Sequence, residues 1–153
     1  MKKQFILALV AAASMAAVSV GFAHHSFSMF DPEQELVIKG QVVRWAFSSP
    51  HTFMMIKDAD GAVWAFEGAA PPSLLARTPQ LTGETFKAGE ELTVVMCPLR
   101  DGRKGGAAGI FFRPDGSALN PSDGGCRASR HISEWQEWLG KGYKSQAEAQ
   151  AGK

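Results

Sequence analysis

Five short apolar-rich stretches of this 153-residue chain, the first of them alternating apolar and polar residues, are each bounded by turn residues. From Glu35 to Phe47, Leu36, Ile38, Gly40 and Val42 share one face, and Val37, Lys39, Gln41 and Val43 the other. That period of two predicts a long strand. The alternation slips near Val43 to Trp45, where both faces become apolar, so the strand is expected to coil or bulge as a small barrel requires. Ser48-Ser49-Pro50 ends it. His51 to Lys57 and Ala62 to Glu67 are the next two strands, joined by Asp58-Ala59-Asp60-Gly61, a hairpin turn. Pro71 to Arg77 then starts like a helix, with proline in its first turn. A turn at Lys87-Ala88-Gly89-Glu90 precedes a fourth strand, Glu91 to Cys97. A glycine-rich loop from Gly102 to Gly106 leads to a fifth, Ala107 to Arg113.

This order is that of the five-stranded Greek-key barrel called the OB-fold. The predicted fold is therefore all-β: a small OB-like barrel over residues 24–116 with a short helix between strands 3 and 4. A small open sandwich with a similar strand count is the alternative. Residues 117–153 are expected to form a loop, a short C-terminal helix and a disordered tail. In the helix Ile132, Trp135 and Leu139 recur at i, i+3 and i+7, and Ser133 is the expected N-cap. Lys144 to Lys153 has few apolar residues, hence the expected disorder.

The chain's start has a different logic. Met1-Lys2-Lys3 is followed by an apolar run from Phe5 to Val20 and then by Gly21-Phe22-Ala23. Basic start, apolar middle and small-residue exit are the parts of a secretory signal peptide. Residues 1–23 are read as that signal, with cleavage after Ala23, and the expected location is the periplasm or the cell exterior. No lipobox cysteine follows the apolar run. No later run approaches the roughly 18 apolar residues a membrane span needs. Cleavage leaves 130 residues with 14 basic and 15 acidic side chains. A near-neutral domain has no basic field for nucleic acid or anionic lipid. Two cysteines, Cys97 and Cys126, remain. In an oxidising compartment they are expected to pair, and a thiolate metal ligand beside Met96 is the competing reading.

Three constellations could carry chemistry. Cleavage after Ala23 makes His24 the N-terminus, followed by His25. A terminal amine beside two imidazoles suits Cu(II), and His51, if the fold brings it there, completes a set of nitrogen donors. Met29, Met54, Met55 and Met96 could add thioethers for Cu(I), although methionines are commonly core filler. The second constellation is polar: Glu67, Arg100, Asp101 and Arg103 could line one rim, as acid–base groups or as plain surface ion pairs. The third is aromatic. Trp45 and Trp64, with several phenylalanines, could present a ring face to a glycan or a protein, or fill the core. No phosphate-cradling loop, Gly-x-Ser-x-Gly elbow or Cys-x-x-Cys pair is present, so nothing points to a nucleophile.

Several short strings stand in a fixed order along the chain: Ala23-His24-His25-Ser26-Phe27, Phe30-Asp31, Gly40-Gln41-Val42-Val43, Ser49-Pro50-His51, Trp64, Glu67-Gly68, Pro72, Leu75, Lys87-Ala88-Gly89-Glu90 and Pro98-Leu99-Arg100-Asp101-Gly102. In these the chain resembles a family of small secreted bacterial proteins classed as a domain of unknown function, over about residues 23–116. The resemblance implies a small secreted β-domain and no established activity. Met96-Cys97 and the extension from Cys126 to Lys153 depart from that pattern. Together these readings predict a non-catalytic periplasmic or secreted binding protein. Copper is the first candidate ligand, through His24, His25 and His51. The alternative is an interaction module using Trp45, Trp64, Glu67, Arg100 and Asp101 toward a periplasmic protein or glycan.

Overall fold

A computed structural model describes residues 27–152. Five strands make the barrel: β1 (Leu36–Ala46), β2 (Thr52–Lys57), β3 (Val63–Gly68), β4 (Glu91–Pro98) and β5 (Gly105–Phe112). The sheet runs β3-β2-β1-β4-β5, and a parallel pairing of β3 with β5 closes it. A two-residue strand, β6 (Ala118–Leu119), extends β5. The short helix α1 (Pro71–Leu75) stands between β3 and β4, where the proline-led segment predicted it. The OB-like barrel expected from the sequence is the fold observed.

β1 is long because it serves two partners. Leu36 to Gln41 pair with β4, and Gln41 to Ala46 pair with β2. The predicted irregularity is a break in register between Val42 and Arg44. Such a bulge bends a strand so that both halves can follow a small barrel. Val42, Met54, Ile56, Phe66, Leu92, Val94, Met96 and Phe111 fill the interior, and Leu74, Leu81 and Phe86 pack with them. Burying such side chains is the main favourable term for a domain of this size.

A second apolar layer lies outside the barrel. The outward residues of β4 and β5, Val95, Cys97, Ala107, Ile110 and Phe112, are covered by Phe30, a 3-10 turn (Arg127–Arg130) and helix α2 (Ile132–Gly140) with Trp135 and Trp138. β5 is therefore buried on both sides over its whole length. This explains its glycines. A Cβ on Gly106 would lie 2.1 Å from the Cys97 carbonyl oxygen, and one on Gly109 would meet Ala128 at 2.8 Å. Gly105 and Gly106 thus belong to the strand and not to the expected loop, because close approach of backbones, not a turn, requires them.

The C-terminus departs from expectation in two ways. His131, not Ser133, stands at the N-cap position of α2. Residues of the expected disordered tail form a further helix, α3 (Gln146–Ala151). Few apolar residues suffice because the backbone is tied down. Val37 N donates to Lys144 O at 2.9 Å and Gln146 N to Glu35 O at 3.0 Å. The Ser145 hydroxyl caps the helix by accepting from Glu148 N, and Ala149 is buried. No helix among the described residues is long and apolar enough to cross a membrane.

Candidate functional site

The hairpin turn at Asp58 to Gly61 sets β2 against β3 so that Phe53 faces Glu67 and Met55 faces Ala65 on the outer surface. Met54 and Phe66, directly opposite each other, point inward. His51 precedes β2 and lies diagonal to Glu67, within reach of a long side chain. Thr52 anchors this corner: its buried hydroxyl donates to Ala69 O at 2.9 Å. Ala69 N donates to Pro121 O at 2.8 Å, which lays the segment after β6 along the end of β3.

That segment carries Asp123, and it is held from several directions. Arg77 donates from Nη1 to the Asn120 backbone oxygen and side-chain Oδ1, and from Nη2 to Ser122 O. Ser122 donates through Oγ to Cys126 O at 3.0 Å. Cys126 is joined to Cys97 of β4 by the expected disulfide, with the Cα atoms 5.3 Å apart. Asp123 uses Oδ1 to accept from Gly125 N at 3.0 Å. Its other oxygen, Oδ2, is aimed at His51.

The result is an imidazole between two carboxylates. His51 Nδ1 is 3.4 Å from Glu67 Oε1 and 3.6 Å from Asp123 Oδ2. One donor atom from each of the three side chains lies within 4.8 Å of the others. The Asp123 side chain is 10% exposed, that of Glu67 15% and that of His51 32%. Nδ1 of His51 and Oδ2 of Asp123 are buried atoms without a hydrogen-bond partner among the described residues. Burial pushes the Glu67 carboxyl above its ordinary range; His51 opposes this and the neighbouring Asp123 adds to it. Burial lowers the Arg77 guanidinium, against the pull of Asp123.

Phe27, the first described residue, packs close to Asp123. The Phe27 ring lies over Gly125, where an added Cβ would meet Phe27 Cδ1 at 2.8 Å and the Ala107 Cβ at 3.2 Å. Ala107 pairs with Glu67 across the seam between β3 and β5. His24 and His25 lie outside the described residues.

Of the remaining sequence-predicted residues, Trp64, Arg100 and Asp101 gather around Arg103, whereas Trp45 lies apart in the barrel packing. Trp45 packs with Phe47, Phe86 and Phe111 and donates its indole N–H to Thr82 O. Trp64 donates to Asp58 and is covered by Lys104. It shares a cleft of about 370 Å³ with Arg100 and Arg103. Asp101 is an exposed partner of Arg103. Of the methionines, Met54 and Met96 are fully buried in the barrel, and Met29 is exposed. Sequence reasoning placed Glu67 with Arg100 and Asp101, and it missed Asp123 and Arg77. The hairpin register could have joined Glu67 to His51.

A family model matches residues 9–108. The chain belongs to DUF6152, a family of unknown function. The match takes in His51 and Glu67 and ends before Asp123 and Cys126. No curated protein and no solved structure matches the chain.

Proposed function

We propose that this DUF6152 chain is an exported, non-catalytic binding protein that takes Cu(II) between its mature N-terminus and His51. The observation that carries this reading is the seat of Phe27 on Gly125, two residues from Asp123. Cleavage after Ala23 would leave His24 three residues upstream of Phe27, a reach of roughly 10 Å in extended chain. The terminal amine and the imidazoles of His24 and His25 would, in this reading, turn back toward His51. Nitrogen donors of this kind favour Cu(II) over other first-row divalent ions. The signal-peptide layout of residues 1–23 supplies both the compartment and the free amine.

The test is Cu(II) binding by the secreted protein, followed by paramagnetic resonance and intact mass. We expect cleavage before His24, one copper per chain and several coupled nitrogens. His24→Ala should remove nitrogen coupling and weaken binding. Cleavage at another position, or an unchanged signal in His24→Ala, would overturn the reading.

A further inference from the structure

We infer that His51, Glu67 and Asp123 form a metal site of their own, one that takes a borderline divalent cation such as Zn(II) or Co(II) without help from the N-terminal histidines. The inference shares His51 with the copper reading and does not rest on it.

Distance is the first argument. Separations of 3.4 and 3.6 Å from His51 Nδ1 to the two carboxylate oxygens exceed the usual length of an N–H···O hydrogen bond, about 2.7–3.2 Å. They match a different geometry. Ligands bound at about 2.0–2.1 Å on a tetrahedral ion stand roughly 3.4 Å apart. The spacing is that of a loose ion pair, longer than a well-formed hydrogen bond, and it also suits ligands of a shared ion.

Satisfaction is the second. Buried polar groups ordinarily find partners, and each exception calls for a cause. Here two exceptions point at each other, His51 Nδ1 and Asp123 Oδ2, and the Asp123 side chain is nine-tenths buried. Glu67 brings a second carboxylate to the same point. Two carboxylates brought this close repel each other, and a cation bound by both offsets that repulsion.

The third argument is support from behind the donors. Asp123 Oδ1 is already engaged by Gly125 N, which fixes the direction of Oδ2. The loop bearing it is clamped by Arg77 and tied at Cys126. Metal ligands are characteristically oriented by such outer partners. One imidazole and two carboxylates are also the donor types that Zn(II) accepts, with a fourth position left for water or a ligand. The partial exposure of His51 gives an ion a way in.

The experiment uses the mature protein carrying His24→Ala and His25→Ala, so that the terminal set is disabled. Co(II) is the probe, read by its visible absorption, and Zn(II) is the competitor. We expect one Co(II) per chain with the intense bands of a four-coordinate ion, displaced by Zn(II). Asp123→Asn and His51→Ala should each weaken binding by about tenfold or more. Glu67→Gln is the second carboxylate variant should Asp123→Asn fail to fold, as thermal melting will show. No Co(II) bands, or affinity unchanged in the folded ligand variants, would overturn the inference. Loss of Co(II) binding with Cu(II) binding intact in the unmodified protein would leave the copper reading standing alone. Co(II) bands alongside a His24-independent copper signal would do the reverse.

Discussion

Among the described residues two clusters set imidazole beside carboxylate, and they are finished differently. In the outer layer Glu35, only 2% exposed, accepts from Trp135 Nε1 at 2.7 Å and lies 2.9 Å from His131 Nε2. Every contact there is of hydrogen-bond length, and the cluster ties the start of β1 to α2. At the rim, His51 faces Glu67 and Asp123 at ion-pair distances longer than those of a well-formed hydrogen bond, and two of the atoms involved have no hydrogen-bond partner among the described residues. Both set an imidazole beside a carboxylate, the closed one with an indole added and the open one with a second carboxylate. One cluster closes on itself and holds two elements together; the other leaves an ion-sized gap. Bond length and satisfaction, not the presence of histidine beside acid, separate a structural tie from a site.

Mutations should divide along the same line. Trp135→Ala removes a fully buried indole from the closed cluster and should cost about 4 kcal/mol in chemical denaturation. A loss below about 1 kcal/mol would mean that α2 is not part of the cooperative unit. Replacing Cys97 and Cys126 together by alanine opens a link across 29 residues and should cost roughly 3 kcal/mol. It should also weaken Co(II) binding, because Cys126 ends the loop that presents Asp123. Glu35→Gln leaves His131 and Trp135 with a poorer acceptor and should cost about 2 kcal/mol, with Co(II) affinity unchanged. If it abolished metal binding, the two clusters would not be independent.

The smallest stability effect belongs to the open cluster. Asp123→Asn should change stability by less than about 0.5 kcal/mol near neutral pH, or raise it, because a like charge beside Glu67 is removed. Its signature is in the pH profile. Glu67 takes up a proton more readily folded than unfolded, so its contribution is greatest below the ordinary value of 4.5 and falls as pH rises through the raised one. Asp123→Asn should make that fall shallower in urea titrations of the metal-free protein. A steeper fall would show that Asp123 does not press on Glu67.

The barrel was legible because its strands are local patterns. Alternation marked the first, short apolar runs between turns marked the other four, and the phase slip after Val42 located the bulge. The helix carrying Trp135 followed from apolar spacing alone. The half of the site borne by one hairpin was also within reach. Asp58 to Gly61 dictates which residues face each other, and so places His51 beside Glu67. Asp123 was not legible. Ser122-Asp123-Gly124-Gly125 has the composition of any solvated turn. What makes Asp123 a candidate ligand is long-range: the clamp from Arg77 and the tie at Cys126. The helix α3 escaped for a similar reason, since backbone bonds to Glu35 and Val37 hold it in place of an apolar stripe. Trp45 was ambiguous because an aromatic ring looks the same to the sequence whether it lines a rim or fills a core.

The parallel seam between β3 and β5 is three residue pairs long, half the length of the ladders β1–β4 and β2–β3. Neighbouring strands can zip together from their turns, whereas the seam joins segments with a helix and a whole strand between them. Contacts so distant along the chain are costly to close and form late. Glu67 is in the last pair of that seam, and Asp123 follows it by a further stretch of chain. A half-folded chain with only the β2–β3 hairpin formed would bring His51 beside Glu67 and still lack Asp123. The set of three donors is thus complete only when the barrel is shut and the loop after β6 lies along the end of β3.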